Sequence, residues 1–109
     1  PDHARLHDLG QDVGVAYIAP DTSSEGVPNS AVRAFSPSLG TSEDPVTGSL
    51  NASLAQWLIG EGLAPSAYRV AQGECRGRAG RVHILQDGDG QVWVGGRCLT
   101  AIEGRVHFP

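Results

Sequence analysis

At 109 residues, with 39% hydrophobic and 18% charged residues, the chain has the composition of one globular domain with room for a core. Its net charge of −4, without any run of lysine or arginine, excludes the electrostatic footprint of a nucleic-acid binder. No apolar segment approaches a membrane span, and the polar start Pro1-Asp2-His3-Ala4-Arg5 is unlike a signal peptide, so a cytoplasmic protein with no membrane partner is expected.

Fifteen glycines and seven prolines favour short elements joined by tight turns over a helical bundle, which points to a β-rich domain. The sequence opens on proline and not methionine, which suggests a trimmed chain, a processed product or one lobe cut from a longer protein. Cys75 and Cys98 are expected to be small buried residues with free thiols, since nothing else in the chain looks secreted or stapled.

In chain order, residues 1 to 10 read as one short helix with Leu6 and Leu9 on one side and Gly10 as its stop. His3 and His7 share a face of that helix, but two histidines make no metal site and a solvated face is the reading adopted. Val13 to Ala19 is an apolar, partly β-branched strand ended by Pro20-Asp21, and Thr22 to Ser30 reads as an exposed loop. Ala31 to Ser36 alternates, with Val32 and Ala34 on one face and Arg33 and Phe35 on the other, and stops at Pro37.

The centre of the chain is Glu43-Asp44-Pro45-Val46-Thr47-Gly48-Ser49 followed by the apolar run Leu50 to Ile59. This is a loop feeding a helix. Either Asp44 is the N-cap with Pro45 at the first helical position, or Thr47 caps a helix that starts at Gly48. In both cases the Gly48 and Ser49 amides lie near the helix start, where unpaired N–H groups and the macrodipole favour an anion. Glu43 reads as a loop carboxylate. Leu50, Leu54 and Leu58 recur at i, i+4 and i+8, with Ala52, Ala55, Trp57 and Ile59 covering most of the remaining surface, so protein should surround this helix until Gly60 and Gly62 end it.

Short β-like runs follow at Tyr68 to Gln72, Arg81 to Gln86, Gln91 to Val94, Arg97 to Ile102 and Arg105 to Phe108, with Asp87-Gly88-Asp89-Gly90 as a hairpin turn. A meander curved around the central helix is the simplest arrangement that buries it. The fold class expected is therefore α+β.

Glu-Asp-Pro-x-Thr-Gly-Ser before an Ala/Leu-rich helix resembles the PhzF-like phenazine-biosynthesis isomerases, relatives of diaminopimelate epimerase. Two further motifs occur in the right order. Gln72-Gly73 followed by Gly77-Arg78 is similar to the family's Gln-Gly-x-x-x-Gly-Arg segment, and Val94-Gly95-Gly96-Arg97 with Ile102-x-Gly104 to its closing hairpin. Arg76, Ala79 and Gly80 depart from the family pattern, which usually has Met, Pro and Ser there.

The resemblance covers essentially the whole chain, residues 1 to 109, but only the C-terminal one of the family's two lobes. It implies a curved, mostly antiparallel sheet wrapped around one central helix, with the active site between two such lobes. It also implies cofactor-independent proton transfer on a small carboxylate-bearing substrate, with the main base on the complementary first lobe. Asp44 and Ser49 match the family's catalytic positions, and Gly48, Ser49 and Gly73 its substrate-binding ones. No metal is implied. The alternative reading is a non-catalytic lobe that binds small anions or forms a homodimer through the face another lobe would cover.

Overall fold

The computed structural model describes residues 1–18 and 30–109 and has an α+β fold, in which one helix packs on a six-stranded mixed sheet. Helix α1 spans His3–Leu9, capped by the Asp2 carboxylate on the Arg5 N–H, and strand β1 spans Val13–Ile18. Strand β2 (Ser30–Ser36) leads through a single 3-10 turn at Pro37–Leu39 into β3 (Thr41–Asp44). Helix α2 (Gly48–Gly60) follows, then β4 (Ala67–Gln72), β5 (Gly80–Gln86) and β6 (Val92–Gly96). The expected loop at Thr22 to Ser30 lies outside the described residues except for Ser30, which is buried and begins β2.

The sheet order is β1-β2-β4-β5-β6, with β3 paired to β2 off that path. All pairings are antiparallel except β2 with β4. A parallel pair needs a crossover, and the segment that supplies it here contains β3 and α2. The motif residues are therefore held at both ends by adjacent central strands.

The core follows from strand alternation. On β4, Tyr68 and Val70 point to the same side and stand opposite Ile84 and Val82 of β5. With Val32 and Ala55 they form one buried cluster, against which Leu50, Leu54, Ile59, Ala64 and Val92 pack. Each such aliphatic side chain contributes roughly 1.5–3 kcal/mol when fully buried. Helix α2 meets the sheet by one side, burying Asn51, Ala55 and Leu58, while Trp57 on the other side is 59% exposed. Among the described residues no helix is long and apolar enough to cross a membrane.

Several expectations are corrected. Residues 41–44 are a strand where a loop was expected, because they continue the antiparallel pairing with β2 through a register shift between Ala34 and Ser36. Arg97 to Ile102 and Arg105 to Phe108 form no strand. A β-like run needs a ladder partner, and here Leu99, Ile102, Val106 and Phe108 all remain exposed. Cys75 and Cys98 carry free thiols as expected, but both are exposed, Cys75 in a 3-10 turn at Glu74–Arg76 and Cys98 in the irregular segment after β6.

The β5–β6 turn is organised by Asp87. Its Oδ1 accepts from the Asp89 and Gln91 N–H groups at 3.0 Å each, and its Oδ2 from the Trp93 indole N–H at 2.8 Å. The indole hydrogen bond, with the two backbone ones, holds this carboxyl below the usual aspartate range. A depressed folded pKa contributes stability that is present above the unfolded value and is lost as pH falls through the folded one. In an acid titration the Trp93 indole N–H resonance should shift with a midpoint below the ordinary value of about 3.9. Trp57 should show no such step, and Asp87→Asn should abolish it.

Candidate functional site

Gln72 is the residue around which the motif is assembled. It ends β4 on the face that carries Tyr68 and Val70, so alternation aims its side chain at α2, and it is 1% exposed. Its Oε1 accepts from the Thr47 N–H at 3.1 Å and from Asn51 Nδ2 at 2.9 Å. Its Nε2 donates to the Asp44 carbonyl at 3.1 Å and to Thr47 Oγ1 at 2.9 Å. All four hydrogen-bonding sites of the primary amide are filled.

This contact decides where the helix begins. The Thr47 N–H goes to Gln72, so Pro45 and Val46 stay outside the helix and Thr47 is the N-cap residue of α2, in extended conformation. The second of the two capping alternatives holds. The Thr47 hydroxyl does not cap. It donates to Asp44 Oδ2 at 2.7 Å while accepting from Gln72. Asp44 is thereby fixed through both its carbonyl and its carboxylate at the end of β3. Asn51 adds a second tie, its Nδ2 donating to the Thr47 carbonyl at 2.8 Å.

Gly73 packs directly under the same loop. Its φ of 90° is left-handed, and a Cβ there would stand 2.6 Å from the Pro45 carbonyl oxygen. Gly80 closes the other side, where a Cβ would meet the Gln72 carbonyl oxygen and Val46 Cγ2 at 2.6 Å. Its departure from the family's usual serine thus coincides with a close approach.

Ser49 lies in the exposed first turn of α2 and lines a cleft of about 230 Å³ with Asp12, Gly14, Phe35, Ser36 and Thr47 among others. Gly73 lines a different, smaller hollow of about 110 Å³ with Arg33, Glu74 and Cys75. Asp44 is tied to Thr47 at the helix start that carries Gly48 and Ser49, but of these four only Thr47 and Ser49 line the cleft, and Gly73 buttresses the loop from a different hollow. Among the described residues no three of His, Cys, Asp and Glu are grouped as metal ligands would be.

Glu43 is a fixed structural carboxylate. It is buried and accepts from Arg33 Nε and Nη2 at 2.9 Å each. The Arg33 guanidinium also lies 5.0 Å from the centre of the Phe35 ring, whose edge contact with His3 brings α1 onto the sheet. The fork from Arg33 holds the Glu43 carboxyl below the usual glutamate range, against the opposing effect of burial.

Sequence reasoning quoted Gln72 as part of a motif but gave it no role, and it missed Asn51 and the Arg33–Glu43 pair. For Gln72 a signal was present, a polar residue in phase with Tyr68 and Val70 on the core face. The ion pair was hidden because the register between β2 and β3 is not readable from either strand alone.

Two outcomes follow for stability. Gln72→Leu keeps the volume but removes four hydrogen bonds, those to the Thr47 N–H and hydroxyl, Asn51 Nδ2 and the Asp44 carbonyl, and chemical denaturation should show a loss of about 2–4 kcal/mol. The Glu43 contribution is present above the ordinary glutamate pKa and disappears as pH falls through its depressed folded value. Arg33→Gln should bring the carboxyl midpoint, followed by side-chain carbon NMR, back up.

The family model described as Phenazine biosynthesis-like protein matches residues 1–104. An "Uncharacterized isomerase" of Deinococcus radiodurans is 32% identical over 113 residues, covering 95% of this chain and 36% of that protein. "Uncharacterized isomerase YddE" of Salmonella typhimurium is 32% identical over 89 residues, covering 77% of this chain and 30% of its own length, and the same figures hold for its Escherichia coli K12 counterpart. The chain thus spans about a third of the length of these relatives. The match runs through the Gln72-pinned motif and nearly the whole chain, and the protein belongs to the phenazine biosynthesis-like (PhzC-PhzF) family.

Proposed function

We propose that this chain supplies one half of an isomerase site that moves a proton on a small carboxylate-bearing metabolite without an organic cofactor or metal. The observation that carries this reading is the Gln72 amide, which fixes the Asp44 carboxylate through Thr47 and leaves the Gly48 and Ser49 amides at an exposed helix start. Moving a proton α to a carboxylate requires an acid/base group, a hydrogen-bonding hydroxyl and a seat for the substrate anion. Asp44, Ser49 and the α2 N-terminus have those chemistries.

In this reading the substrate carboxylate sits against the amides of Gly48 and Ser49 and the Ser49 hydroxyl. Asp44 orients the substrate or exchanges a proton with it. Gly73 sets the position of the Pro45 turn from behind. The principal base belongs to the remainder of the full-length protein, consistent with relatives about three times as long that are named isomerases. A further lobe closing over the helix start would exclude water and strengthen each of these contacts.

The test is made in the full-length protein, by following exchange of substrate protons in heavy water. Asp44→Asn and Ser49→Ala should each lower the exchange rate by roughly 10²-fold or more, the range for loss of a general acid/base or oxyanion-type group. Retention of full activity in both variants would overturn the assignment.

A further inference from the structure

Strand β6 is an edge of the sheet, paired with β5 on one side only. The direction of its peptide groups follows from the turn before it. The Asp87 N–H donates to the Gln91 carbonyl at 3.0 Å, so these two are a hydrogen-bonded pair, and alternation makes Leu85 with Trp93 and His83 with Gly95 the next two. Val92, Val94 and Gly96 therefore turn their N–H and carbonyl groups away from β5. Among the described residues the outward carbonyls are met by side chains alone, the Gln91 amide at Val92 (3.0 Å) and the Cys98 thiol at Gly96 (3.8 Å). Val92–Gly96 contains no charge, no proline and no bulge, the devices that keep an open edge from pairing.

We propose that β6 pairs antiparallel with β6 of a second copy of this chain about a two-fold axis at Val94, joining two sheets into one. This register alone sets all the outward residues of one strand against those of the other: Val94 against the partner's Val94, and Val92 against the partner's Gly96. The side chains agree with it. On the α2 face Val92 meets a glycine, and on the outer face Trp93 stands opposite the partner's Gly95, so each bulky residue has room. Val94, 38% exposed, meets its own counterpart and extends the apolar side to which the buried Ile84 belongs. Charge agrees as well. Arg97 falls opposite the partner's Gln91, next to the acidic turn Asp87-Gly88-Asp89, and the two-fold axis makes this contact twice.

The test is analytical ultracentrifugation of the full-length protein over a concentration series, in which the wild type should convert from monomer to dimer. Val94→Pro removes an outward N–H and leaves the β5 ladder intact, so it should stay monomeric with an unchanged circular dichroism spectrum. Arg97→Glu sets like charges at both ends of the contact and should weaken association by roughly tenfold, the combined scale of two exposed ion pairs, and adding Asp89→Arg to the same chain should restore it. If Val94→Pro does not fold, the Arg97 and Asp89 variants decide alone. A wild type that is monomeric throughout would overturn the proposal, including the case in which another segment of the full-length protein pairs with β6 and protects the Val94 amide from hydrogen exchange. So would a dimer that is unaffected by Val94→Pro and Arg97→Glu.

Discussion

A single buried amide carries the architecture of the site. Gln72 reaches from the end of a central strand to the loop before α2 and engages both ends of that loop at once. Because every donor and acceptor of the amide is used, the loop has one low-energy position, and displacing it would bury unpaired polar groups. The start of the helix, the orientation of Asp44 and the exposure of Ser49 are consequences of that constraint.

The amide is effective because of where the sheet puts it. Tyr68 and Val70 bring β4 against the hydrophobic side of α2, so the next residue in phase arrives at the helix N-terminus. Packing supplies the free energy and the polar contact supplies the position. The parallel pairing of β2 with β4 brackets the motif between neighbouring strands, so the loop cannot shift without disturbing the core.

The opposite face of β2 is organised by a different set of contacts. Arg33 joins Glu43 of β3 by a bidentate ion pair and covers the Phe35 ring, on which His3 of α1 also rests. Two neighbouring carboxylates of the motif thus have different tasks. Glu43 is consumed by an internal partner, whereas Asp44 is held by a hydroxyl at the rim. The division arises from strand alternation, which sends adjacent side chains to opposite sides of β3.

By itself the sequence determined the α+β class, most strand positions, the β5–β6 hairpin and the family, because these depend on local periodicity, turn chemistry and motif order. Through the family resemblance it also named Asp44, Gly48, Ser49 and Gly73 as candidate residues. Tertiary structure alone decided between Asp44 and Thr47 as the start of α2, since the Thr47 N–H is claimed by a residue 25 positions away. It also separated Gly73 from the Ser49 cleft, brought Asp12 into that cleft, buried Glu43 and left the run after Gly96 without a strand partner. Each of these outcomes depends on which strands are neighbours and in what register, and that information is set by long-range pairing and by no local stretch of sequence.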